Sequence, residues 1–163
     1  MMQIRQILGN KYIRKINIRE INDFPKIEQF IIPLNSNIVK TNFQNDSHIR
    51  FKIRGFILEN DGIPFGNVIC ATDKIEGITY FHQFDVYGQI RKLMDILINK
   101  IINYSRSINS RFIIGPYCPY KNLGSEYGFD TIEQAEYLQA FKNTGKFTEF
   151  IKLNTKSLVF KNL

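Results

Sequence analysis

The chain has 163 residues, 44% hydrophobic and 23% charged, which suits one globular domain spanning 1–163, able to bury roughly 70% of its unfolded surface without covalent staples. Its only cysteines, Cys70 and Cys118, exclude a disulfide framework and a cysteine-rich metal centre. A single bridge between them stays open, and a reducing compartment is the default. A net charge of +7 and a pI near 9.4 suit an anionic cofactor, an acidic protein or a nucleic acid, but the positive residues are scattered with no run of four, so dedicated nucleic-acid binding is disfavoured.

The N-terminal MMQIRQILGNKYIRK has neither the apolar centre nor the small-residue cleavage site of a secretory signal, and no apolar run approaches a membrane span. The expected location is the cytoplasm. Residues 12–18, YIRKINI, alternate apolar and charged and predict a first strand. From Ile18 to Ile32, apolar residues at Ile18, Ile21, Phe24, Ile27, Phe30 and Ile31 come near helical spacing. Asn22 or Asp23 is a candidate cap, Pro25 sits in the first turn and Pro33 ends the helix. The Asn-rich stretch 34–48 predicts a loop or a short irregular helix, and its His48 carries no expected role.

Residues 50–58, RFKIRGFIL, alternate strongly, and Glu59-Asn60-Asp61-Gly62 is a hairpin turn into a return strand from Ile63 to Ala71. A turn at 73–77 leads to a third antiparallel strand, ITYFHQFDV, residues 78–86. From Gln89 to Ile108 the period changes to an amphipathic helix: Ile90, Leu93, Met94, Leu97, Ile98, Ile101, Ile102, Tyr104 and Ile108 form its stripe. RFIIG, 111–115, is a short buried strand. The loop GPYCPYKNLGSEYGFD, 115–130, follows, shaped by its glycines and prolines. Thr131 and Gln134 have capping-box spacing for a helix running to about Asn143, with Gly145 as its end signal. Two strands, 147–153 and 157–160, close the chain. The fold class is α+β, a mixed α/β arrangement with a mostly antiparallel twisted central sheet and flanking helices.

This element order resembles the GNAT superfamily of acyl-CoA-dependent N-acyltransferases over about residues 12–160. GFILENDGIPFGNVIC, 55–70, is similar to the family's second and third strands, and TYFHQFDV, 79–86, to an aromatic-rich fourth strand ending in an acid. Gly115-Pro116 with Gly128-Phe129-Asp130 resembles a subgroup whose fifth strand runs into a GP…GFD loop, and AFKNTGKFTEFIKL, 140–153, resembles the usual ending. The superfamily's Gln/Arg-x-x-Gly-x-Gly/Ala loop holds the CoA pyrophosphate on backbone N–H groups and a helix N-terminus. Here that stretch is Asp85-Val86-Tyr87-Gly88-Gln89-Ile90-Arg91-Lys92, with one glycine, so the pattern is incomplete.

The resemblance implies an acyl-CoA or acetyl-CoA donor, or an acyl carrier protein, an amine acceptor, and no metal. Phe84 and Val86 would present backbone groups to the pantetheine arm beside the splay between fourth and fifth strands. Tyr87, Gly88 and Gln89 form the phosphate loop, with Arg91 and Lys92 as replacement phosphate partners or as an ordinary solvated helix face. Asp85, ending the fourth strand, is the candidate general base, with Glu126 of the loop as a second. His82 suits base work by its pKa, but a regular strand puts His82 and Phe84 on one face and Phe81, Gln83 and Asp85 on the other; a bulge, common in this strand of the family, would change that. Tyr137 matches the family's general-acid tyrosine, or simply packs the core. Tyr117, Tyr120 and Tyr127 are expected to wall the acceptor side. Cys118 lacks the companion His-Asn or His-Asp spacing of a nucleophile. The incomplete loop also fits a second reading, a GNAT-fold module without catalysis. A homodimer through the last strands is a further expectation.

Overall fold

The computed structural model describes residues 16–22, 50–117, 135–152 and 155–161. They form one seven-stranded sheet in the order β1-β2-β3-β4-β5-β7-β6. The strands are β1 (Ile16–Ile21), β2 (Phe51–Asn60), β3 (Ile63–Asp73), β4 (Ile78–Val86), β5 (Phe112–Gly115), β6 (Thr148–Lys152) and β7 (Thr155–Lys161). Every neighbouring pair is antiparallel except β4 and β5, which run parallel. The crossover between those two is α1 (Arg91–Ser107); α2 (Ala135–Lys142) precedes β6.

Strand alternation sorts the apolar residues into two cores. Phe56, Leu58, Val68, Cys70 and Phe81 pack with the stripe of α1, with Tyr137, Ala140 and Phe141 of α2, and with Phe147 and Phe160. Ile21, Phe51, Ile53, Ile57, Ile69 and Ala71 form a second cluster, joined by Tyr80. Burying each such side chain contributes about 1.5–3 kcal/mol, so the two layers carry most of the folding free energy. Cys70 is a free thiol in the first core, and burial pushes its pKa far up, so it is inert.

Turn chemistry sets the strand lengths. Asp61 (φ 50°) and Gly62 (φ 79°) are both left-handed, as a two-residue hairpin turn between β2 and β3 requires. At the far end of β3, Asp73 accepts the N–H groups of Ile75 (2.9 Å) and Glu76 (3.1 Å) and pairs with Arg50 (2.7 Å from Nε), so the turn is tied to the start of β2. α1 ends with Asn109 at φ 55°, and Gly145 at φ 67° closes the turn after α2.

One expectation is overturned. Residues 18–21 do not begin a helix; they continue β1, which pairs with β2 from Ile16↔Asn60 to Ile21↔Gly55. Ile16 and Ile18 pack on the first core and Ile21 lies in the second, the period of a strand. Arg19 pairs with Glu59, and Glu20 with Arg54 (3.3 Å) and Lys100 (3.8 Å), contacts a strand edge makes across to its neighbours. The remainder of the expected 18–32 helix, the loop at 34–48 and Thr131 lie outside the described residues. No helix among the described residues is long and apolar enough to cross a membrane.

Candidate active site

β4 and β5 are paired only at Ile78↔Phe112, Thr79↔Ile113 and Tyr80↔Ile114. One more backbone bond follows, from the Tyr117 N–H to the Phe81 carbonyl at 2.8 Å. Gly115 makes this close approach possible, because a Cβ there would sit 2.5 Å from the Phe81 carbonyl oxygen. The Gly115–Pro116 peptide is cis. Among the described residues, β4 from His82 to Val86 has no partner in β5, which ends at Gly115.

A bulge shapes this unpaired end of β4. On β3, Asn67 and Ile69 are separated by one residue; their partners Asp85 and His82 are separated by two. Gln83 takes up the extra length at φ 50°. The Asn67 side chain pins the bulge by donating from Nδ2 to the Gln83 carbonyl at 2.7 Å. The regular-strand assignment of faces is therefore corrected: Phe84 joins Phe81 in the first core instead of sharing a face with His82. His82 is itself buried, opposite Ile69.

Asp85 and Tyr137 meet at the end of β4. The Tyr137 hydroxyl donates to Asp85 Oδ1 at 2.6 Å, and the Val86 N–H donates to the same phenolic oxygen at 3.1 Å. The Val86 carbonyl lies 3.2 Å from that oxygen. Aromatic packing holds the tyrosine: the Phe84 ring is 5.4 Å from it and 4.9 Å from Phe141, which stacks on Phe81 at 4.8 Å. Burial raises the Asp85 pKa above its ordinary value, against the opposing hydrogen bonds from Tyr137 and the Val86 N–H. Burial first, then the bond to Asp85 and its charge, push the Tyr137 phenol above the usual tyrosine range. The Tyr137 ring packs in the first core, one of the two sequence expectations, and its hydroxyl reaches Asp85.

Next comes the loop into α1. Tyr87–Gln89 is a single 3-10 turn with Gly88 at φ 65° and Gln89 at φ 50°. No side chain caps α1, whose first acceptor is the Ile90 carbonyl, taking the Leu93 and Met94 N–H groups at 3.0 and 3.1 Å. Arg91 bonds Asp95 at 2.8 Å and the Ala140 carbonyl at 3.2 Å, tying α1 to α2. Lys92 is exposed. Tyr117, just past β5, is 43% exposed, its ring 5.5 Å from Tyr80. Glu126, Tyr120, Tyr127 and Cys118 lie outside the described residues.

Sequence reasoning passed over Asn67. In an alternating strand it reads as an outward polar residue, yet it is 3% exposed and stands directly opposite Asp85. Its signal was the pairing register, which places it beside the candidate base.

No protein-family model matches the chain, and no curated protein matches it by sequence. Solved structures do match in fold. The N-acetyltransferase PseH of Campylobacter jejuni aligns at a TM-score of 0.56 and 16% identity over 91% of this chain and 99% of its own. A probable acetyltransferase of Staphylococcus epidermidis gives 0.57 and 14% over 91% and 99%. N-acetylglutamate synthase of Neisseria gonorrhoeae, solved with coenzyme A and L-arginine, gives 0.54 and 17% over 90% of this chain and 33% of that one. The chain has the fold of the GNAT acetyltransferases.

Proposed function

We propose that the protein is an N-acyltransferase that moves an acyl group from acyl-CoA, or from an acyl carrier protein, to the amine of a small molecule or peptide. The observation that carries this reading is the 2.6 Å bond between the Tyr137 hydroxyl and Asp85, at the end of β4 that β5 does not pair. Support comes from neighbours of the same fold solved with acetyl coenzyme A or coenzyme A. A cytoplasmic setting supplies such donors.

In this scheme Asp85 removes a proton from the acceptor ammonium. The freed nitrogen attacks the thioester carbonyl carbon, and the carbon–sulfur bond of the adduct breaks. Tyr137 gives its phenolic proton to the departing sulfur, and Asp85 returns the proton it took to Tyr137 through their shared hydrogen bond. The adduct nitrogen gives its second proton to water, so ammonium and thioester become amide, thiol and one proton released to solvent, with no net change in the protein. The electrostatics order these events. The charge and hydrogen bond of Asp85 help hold the Tyr137 phenol high. Once Asp85 is protonated that support is gone, and the phenol becomes a stronger acid after the base has acted. Gly88, Lys92 and the uncapped start of α1 are the groups that would meet the donor phosphates.

A second reading has its own observation. Tyr137 occupies both the N–H and the C=O side of Val86, and Arg91 is engaged with Asp95 and Ala140. These are groups the donor would use, so a GNAT-fold binding module without catalysis follows if they stay occupied. Thermal unfolding with CoA, acetyl-CoA and a long-chain acyl-CoA separates the two. A ligand at about 100 times its Kd stabilises by about 2.7 kcal/mol, a rise of several degrees. A rise, followed by thiol release with an amine, supports the transferase. A flat response to every CoA, with no thiol release from an acylated carrier protein, leaves the binding module.

A further inference from the structure

Two side-chain oxygens at the β4 bulge are buried without a partner among the described residues: Asn67 Oδ1 and Gln83 Oε1. An unsatisfied buried acceptor weakens a fold and calls for an explanation. Both belong to the bulge itself, since Gln83 is its left-handed residue and Asn67 bonds the Gln83 carbonyl. That bond also fixes which way the Asn67 amide points, because turning it over would bring its oxygen against the carbonyl oxygen. The orphan is therefore an acceptor, not a misplaced donor.

Asn67 stands opposite Asp85 in the β3–β4 register, and side chains so paired emerge on one face about 5 Å apart. The Asp85 carboxylate accepts hydrogen bonds only, and among the described residues no lysine or arginine acts on it. The pairing thus sets a carboxylate and an unpartnered amide oxygen on one face, with Gln83 in the same bulge. The matching ligand is positively charged and carries several N–H donors, which describes a primary ammonium. A carboxylate or phosphate would be repelled.

We propose that Asn67 is an acceptor-binding residue, whose Oδ1, beside the Asp85 carboxylate and aided by Gln83 Oε1, receives an N–H of a primary ammonium. This rests on the transferase reading and adds the residues that hold its acceptor. Asn67 keeps one N–H while Asp85 removes the proton of another, so the lone pair is freed in a fixed direction.

The test uses the full chain with acetyl-CoA and three probes: butylamine, spermidine and a dipeptide with a free amino terminus, followed by thiol release. Asn67→Ala is expected to raise KM for the best amine about tenfold or more, while KM for acetyl-CoA stays within about twofold. Gln83→Gly, which suits the left-handed backbone and removes the second oxygen, should raise the amine KM by a smaller factor with the melting temperature held or raised. It keeps the proposal testable if Asn67→Ala does not fold. Unchanged amine KM in both variants overturns the proposal, leaving ordered water as the partner of these oxygens. If acetyl-CoA raises the melting temperature but none of the three amines is acylated, this inference falls while donor binding stands. If acetyl-CoA and a long-chain acyl-CoA produce neither a shift nor turnover, and an acylated carrier protein gives no thiol release, the transferase reading falls with it.

Discussion

Asp85 and Tyr137 derive their chemistry mainly from each other and from burial, so substitutions at either one report on both. The Tyr137 hydrogen bond lowers the Asp85 pKa against the larger effect of burial. Removing it in Tyr137→Phe should move the acid limb of the kcat/KM profile to higher pH, because the proposed scheme needs Asp85 deprotonated. The same variant loses the proton donor, and kcat should fall by about 10²–10⁴. Asp85→Asn should lose a comparable factor and abolish the acid limb, since no ionisation remains there. A Tyr137→Phe profile whose limb stays in place, with kcat near the original, would assign the tyrosine to packing alone. At this scale the sequence was legible where a residue's place in the element order defined it, as for Asp85 at a strand end and Tyr137 on the last helix. Arg91 was less so: its type suited phosphate, but its Ala140 partner lies 49 positions away and shows only in three dimensions. Asn67 was silent, because nothing local marks an alternating polar residue as buried.

At the scale of elements, β4 came out of the sequence with its bounds intact, since Ile78 to Val86 is framed by Gly77 and Gly88, two left-handed glycines. Its bulge did not, because Gln83 carries the positive φ without a glycine to announce it. β1 was misjudged for a different reason: Ile18 and Ile21 fit a period of 3.6 as well as they fit opposite faces of a strand, and only the β2 partners decide. The β3–β4 turn offers a quantitative check on how such elements are joined. Asp73 is 1% exposed beside an Arg50 side chain that is 47% exposed, so the pair lies between the surface and buried limits. Asp73→Ala should cost about 2 kcal/mol, between the values of exposed and buried pairs. Burial alone would raise the Asp73 pKa, but the bond from Arg50 and the N–H groups of Glu76 and Ile75 together hold it below its ordinary value. A depressed carboxylate stabilises the fold above its unfolded pKa, about 3.9, and loses that contribution as pH falls through the folded value. Melting temperature should therefore drop below about pH 4 in the parent, and less steeply in Asp73→Ala. Equal slopes in the two proteins would mean that the pair contributes nothing.

Over the whole molecule, the net charge of +7 is the property that a donor, a nucleic acid or an acidic carrier protein would each exploit. Charge of this kind governs encounter more than fold. The CoA donor is a compact polyanion, so its capture should be steered by the positive field and its chemistry should not. Raising ionic strength from about 0.02 M to about 0.5 M shortens the screening length from roughly 20 Å to roughly 4 Å. KM for acetyl-CoA should then rise by up to about tenfold, with kcat nearly unchanged, because Asp85 and Tyr137 act at contact distance where salt hardly screens. A nucleic-acid partner behaves otherwise. Its affinity would fall linearly on logarithmic axes with a slope set by the number of phosphates neutralised, several powers of ten for six or more contacts. Measuring the acetyl-CoA KM and the binding of a duplex oligonucleotide across one salt series compares the two directly. A donor KM indifferent to salt would place the positive residues away from the donor site. A steep duplex slope with sub-micromolar affinity at physiological salt would make nucleic acid, not acyl-CoA, the partner that the charge serves.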